Sequence, residues 1–122
     1  MYEQTIINDF FRLHVDVGFK SLRNAVKLNP QHTDAHRRTM FEVCNTLMKH
    51  NIPFWTELNL LNKCIPDIVA PTHITPIIEV MSTETVEQFK ENKLEKYTRA
   101  GFNSSHLKYI DAHKEFKELD LF

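Results

Sequence analysis

A chain of 122 residues has room for one domain with a real hydrophobic core, and 42% hydrophobic against 25% charged residues suits a folded globular protein. The short apolar runs exclude a membrane-spanning helix, and the start MYEQTIINDFF lacks the basic-then-apolar order of a secretory signal, so an intracellular, cytoplasmic protein is expected. A net charge of -1 excludes a uniformly basic nucleic-acid binder, leaving only positive charge gathered on one face to hold phosphates.

In chain order, residues 3–28 carry helical spacing of Ile6, Ile7, Phe10, Phe11 and Leu13, then Phe19, Leu22, Val26 and Leu28. Val15-Asp16-Val17-Gly18 is an expected interruption, and Asn29-Pro30 the stop. A second helix is expected over 34–49, capped by Thr33 or Asp34, with Met40, Val43, Cys44, Leu47 and Met48 on one face. From Phe54 the content turns to that of strands: FWTELNLL, then IPDIVA (65–70) and ITPIIEVM (74–81), the last two joined tightly around Pro71-Thr72-His73. A third helix is expected over 83–99, capped by Ser82 or Thr83 and stopped by Gly101. A fourth strand, HLKYIDAH (106–113), and a closing helical turn or tail complete an α/β domain without repeats or linkers.

Two acids stand out because their surroundings are apolar. Glu79 lies inside PIIEVM and Asp67 inside IPDIVA, runs that read as buried strands. An ionised carboxylate in such a place is costly unless something compensates it. If the two strands form a hairpin, both carboxylates reach the same end of the sheet, where a shared cation relieves their repulsion. Oxygen ligands of this kind suit Mg²⁺ or Mn²⁺. Glu57, in FWTELNL, adds a third acid on the neighbouring strand. Cys44 and Cys64 make neither a disulfide framework nor a metal knuckle and read as reduced thiols. His14, His32, His50, His73, His106 and His113 show no metal-ligand spacing.

Pro66-Asp67, Glu79-Val80-Met81 and the order helix, three strands, helix, strand over residues 34–113 resemble the PD-(D/E)XK nuclease superfamily. The resemblance implies a restriction-endonuclease-like core with residues 1–30 as a helical extension. It also implies a Mg²⁺ or Mn²⁺ ion held by Asp67, Glu79 and the Val80 carbonyl, with Glu57 ligating directly or through water. His36, on the helix before the first strand, has counterparts in related small nucleases. One position departs from the pattern: Met81 stands where the superfamily places a lysine. A helical wheel puts Lys90 and Lys93 on the packing side of the third helix and Glu84, Glu91 and Glu95 on the other. Lysine placement on this helix is known in the superfamily, so Lys93, ahead of Lys90, is the expected replacement. Together with Lys96 and Arg99 these residues form the expected positive surface. The activity implied is metal-dependent DNA phosphodiester hydrolysis by a nuclease or junction resolvase, and the alternative is an inactive module of the same fold that binds nucleic acid or protein. Pairing into a homodimer is expected, as in many small nucleases of this kind, with the N-terminal segment packed on the domain or serving as the contact.

Overall fold

Helix α1 (Tyr2–His14) and helix α2 (Asp34–Lys49) precede strands β1 (Trp55–Thr56), β2 (Ile68–Val69) and β3 (Ile77–Met81). Two short helices, α3 (Val86–Asn92) and α4 (Leu94–Arg99), then lead to β4 (Leu107–Asp111). These assignments come from a computed structural model that describes residues 2–16 and 22–122. The strands form one mixed sheet in the order β1-β2-β3-β4. The pairs β1–β2 and β2–β3 are antiparallel, whereas β3 and β4 run parallel, joined by a crossover through α3 and α4. Among the described residues no helix is long and apolar enough to cross a membrane.

Strand alternation divides the core between the two faces of the sheet. On one face Ile68, Ile78, Val80 and Ile110 pack against Met40, Val43, Cys44 and Leu47 of α2. On the other, Trp55, Val69, Ile77 and Leu107 meet Ile7 and Phe10 of α1, Phe89 of α3 and Tyr97 of α4. Every residue of β3 is therefore buried, Glu79 included. The α1 face expected to serve either the domain or a dimer contact is thus used within its own domain.

Three expected elements differ in the structure. The first helix ends at His14, and Val15 instead bridges to Leu60. The expected interruption at Val17-Gly18, and Phe19 beyond it, fall outside the described residues. Residues 22–28 are not helical but lie along β1. Asn24, at φ 59°, donates its N–H to the Phe54 carbonyl at 2.7 Å, and its Oδ1 accepts from Phe54 N at 3.0 Å. The Thr56 hydroxyl donates to the Ala25 carbonyl at 2.8 Å and accepts from Lys27 N at 2.9 Å. These hydrogen bonds to β1 outweigh the helical spacing of Leu22, Val26 and Leu28.

Strand β1 is also shorter than FWTELNLL suggests. Glu57 adopts φ 52°, a left-handed backbone that turns the chain out of the sheet immediately after Thr56. The third helix is broken and starts later. Thr85, not Ser82 or Thr83, is its cap, through a reciprocal capping box with Gln88. Lys93 (φ -128°, ψ -22°) separates α3 from α4. Along an unbroken helix Phe89 and Tyr97 would be about 12 Å apart in rise. With the break their ring centroids are 5.6 Å apart and both are buried under the sheet. At the far end Gly101 takes φ 101° as expected of a helix stop, and a Cβ there would lie 2.7 Å from the His14 ring.

Candidate active site

The register that pairs Ile68 with Ile78 places Asp67 and Glu79 opposite each other at the open end of the β2–β3 hairpin. Asp67 Oδ2 accepts from the Val80 backbone N–H at 2.8 Å and lies 3.3 Å from His36 Nε2. Glu79 Oε1 accepts from the Tyr97 hydroxyl at 2.6 Å. The two carboxyl groups sit at the same end of the hairpin, close enough for Asp67 to oppose ionisation of Glu79.

Glu79 is 7% exposed. Burial, and next the charge of Asp67, hold its carboxyl well above the ordinary range, against a smaller downward pull from the Tyr97 hydrogen bond and the Lys93 amine. Burial and the adjacent Glu79 also raise the Tyr97 hydroxyl, which keeps it a neutral donor. Burial, with Asp67 adding to it, pushes the Cys44 thiol up to about 12, so this cysteine is an inert core group and not a nucleophile.

A cleft of ≈ 340 Å³ opens over the pair, lined by His32, His36, Asp67, Glu79, Met81 and Lys93 among others. The Thr33 and Ser82 hydroxyls meet across it at 2.5 Å, tying the start of α2 to the end of β3. A second cleft of ≈ 210 Å³ shares Glu79 and Lys93 and adds Lys63, Lys96 and Tyr97. Glu79 thus stands in the wall between an acid- and imidazole-lined cleft and a lysine-lined one.

The residues singled out from the sequence fall into two groups. Asp67, Glu79, Val80, His36 and Lys93 all line the larger cleft. The N–H and C=O of one residue in an extended strand point the same way. The Val80 carbonyl therefore faces the side on which its N–H reaches Asp67. Glu57 and Lys90 line neither cleft. Glu57 stays beside Asp67 only through its backbone, donating to the Asp67 carbonyl at 3.2 Å, while its carboxylate pairs with Lys27 at 3.4 Å. The left-handed turn at Glu57 is what sends its side chain elsewhere.

Lys90 is exposed, because the later start and early end of α3 turn only Val86 and Phe89 inward. Lys93, at the break, holds Glu84 Oε1 at 3.1 Å, and Arg99 pairs with Glu95. Glu84 accordingly faces the cleft and not the solvent side expected from an unbroken helix. Three site residues were not recognised from the sequence: His32, Glu84 and Tyr97. Tyr97 was placed on the packing face without a partner for its hydroxyl. His32 stands four residues before His36, and their rings lie 4.0 Å apart.

A divalent cation fits this arrangement by its donor chemistry. Two carboxyl groups lining one cleft, with a backbone carbonyl on the same side, offer hard oxygen ligands. Compared with known proteins, the chain matches no family model, no curated protein and no solved structure.

Proposed function

We propose that the protein is a metal-dependent phosphodiester hydrolase acting on DNA, with a site of the PD-(D/E)XK type. The observation that carries this reading is the Asp67–Glu79 pair: two acids opposite each other in the hairpin register, one of them buried, lining a cleft that also holds Lys93 and adjoins a second cleft lined by Lys63 and Lys96. A purely structural pair would be expected to meet a permanent cation in the core, and here Lys93, which acts on Glu79 electrostatically, is ion-paired to Glu84. The sheet order, a meander closed by a parallel fourth strand between helices on both faces, accords with a restriction-endonuclease-like core.

Asp67, Glu79 and the Val80 carbonyl would hold Mg²⁺ or Mn²⁺, whose charge polarises a phosphate and lowers the pKa of an attacking water. The chain's own groups do the rest. The Val80 N–H and the His36 ring fix the Asp67 carboxylate, and the Tyr97 hydroxyl fixes Glu79. Lys93 replaces the lysine that Met81 lacks: released from Glu84, its amine has an anionic phosphate as the natural next partner. Lys63 and Lys96 bind the phosphates that flank the scissile one, which reconciles DNA binding with a net charge of -1. Two copies acting on two strands would form the homodimer.

The deciding experiment is a cleavage assay with Mg²⁺ and with Mn²⁺ on duplex, single-stranded and branched DNA, beside an RNA control. Metal-dependent cleavage lost in Asp67→Asn supports the reading. Cleavage of RNA alone would change the substrate, and DNA binding without cleavage under either metal would make the chain an inactive module of this fold.

A further inference from the structure

We infer that the cleft contains a second, imidazole-rich cation site, formed by His32, His36 and Asp67, that takes Zn²⁺ in preference to Mg²⁺. One donor atom from each of these residues lies within 4.8 Å of the other two. Zinc bound at 2.0–2.1 Å by nitrogen and oxygen in a tetrahedron sets its ligand atoms about 3.3–3.4 Å apart. His36 Nε2 and Asp67 Oδ2 are 3.3 Å apart already. His32 closes the remaining distance by a change of rotamer, which its half-buried position at the mouth of the cleft permits.

Two further observations point the same way. His36 is 6% exposed, and its Nδ1 is buried with no hydrogen-bond partner, so all of the ring's polar engagement is directed at Asp67 on the cleft side. The His32 and His36 ring centroids also lie 4.0 Å apart with the rings tilted by 46°, an arrangement that brings two imidazoles to one place. Two imidazoles and one carboxylate with an open fourth position form a ligand set suited to zinc, whereas Mg²⁺ prefers oxygen donors.

The two sites share Asp67, so zinc at the histidines competes with Mg²⁺ at the carboxylate pair. This inference stands on its own donor set and does not need the hydrolase reading. The test is calorimetric titration of the metal-stripped full chain with Zn²⁺ and separately with Mg²⁺, for wild type, His32→Ala, Glu79→Gln and His113→Ala. The tetrahedral absorption of bound Co²⁺ serves as an independent readout. Wild type should bind one Zn²⁺ through this site, and His32→Ala should weaken that binding at least tenfold while leaving Mg²⁺ affinity unchanged. Glu79→Gln should do the reverse, and His113→Ala should change neither. Equal zinc affinity in wild type and His32→Ala overturns the proposal, as does loss of zinc binding in Glu79→Gln alone. Absence of nuclease activity leaves these outcomes untouched, so failure of the catalytic reading and failure of the zinc site are told apart.

Discussion

Replacing Glu79 by Gln separates the electrostatic burden of the site from its packing. The amide has the shape of the protonated acid: its oxygen still accepts from the Tyr97 hydroxyl, and it sets no charge against Asp67. In the metal-free wild type Glu79 has a raised pKa in the folded state, so the fold retains a proton that the unfolded chain has released. Its contribution to stability is fully present below the unfolded value of about 4.3 and is lost as pH rises through the folded pKa. Across that window one extra bound proton costs wild type about 1.4 kcal/mol per pH unit relative to Glu79→Gln, which has no proton to lose. Below the window the two proteins should agree within about 1 kcal/mol, since they make the same hydrogen bonds. Urea unfolding in EDTA at a series of pH values, read as the difference between the two proteins, cancels the titrating groups that do not interact with Glu79 and leaves the Glu79–Asp67 pair. Saturating Mg²⁺ at about 100 times Kd should return about 2.7 kcal/mol to wild type and far less to the variant. A pH-independent difference would refute the claim that burial and Asp67 perturb Glu79.

Asp67→Asn should abolish metal-dependent cleavage and Mg²⁺ affinity while leaving the circular dichroism spectrum unchanged, because it removes charge and little volume. Lys93→Met should slow turnover by roughly 10²–10³ at saturating Mg²⁺, the effect of losing one charge-stabilising donor, whereas exposed Lys90→Met should leave the rate as it is. Equal rates in wild type and Lys93→Met would remove Lys93 from the reaction. Asn24→Ala should destabilise the fold by about 1–3 kcal/mol, since it leaves the Phe54 N–H unpaired and forces a β-carbon without a compensating hydrogen bond into a left-handed backbone; a loss under 0.5 kcal/mol in chemical denaturation would show that water replaces the amide.

Much of the sheet was legible because burial on both faces writes strands as unbroken apolar runs. Glu79 stood out against PIIEVM for that reason, and Pro71-Thr72-His73 marked the hairpin that brings it to Asp67. What failed was decided by single backbone torsions that periodicity does not record. The left-handed Glu57 ends β1 and removes its carboxylate from the site, and the later start of the third helix at the Thr85 cap leaves Glu84 outside the helix, lining the cleft. The N-terminal helix was overextended because Leu22, Val26 and Leu28 keep helical spacing, although residues around them are committed to β1 by hydrogen bonds distant in sequence. His32 escaped notice for a different reason: it precedes the helix that carries His36, where spacing on a helical wheel has no meaning until the cap at Thr33 is known.

The segment lying along β1 also bears on how this protein meets copies of itself. A strand at the margin of a sheet is a template for another chain, and here Asn24 already occupies the backbone N–H and C=O of Phe54, while Ala25 and Lys27 lie against the margin on the Thr56 hydroxyl. Fibre-like growth through that margin requires the chain first to peel off its own covering. The opposite margin is β4, which carries Lys108 and exposed Asp111, charged residues of the kind that blunt a sheet edge. Strand addition by a second copy is thereby disfavoured at the covered margin.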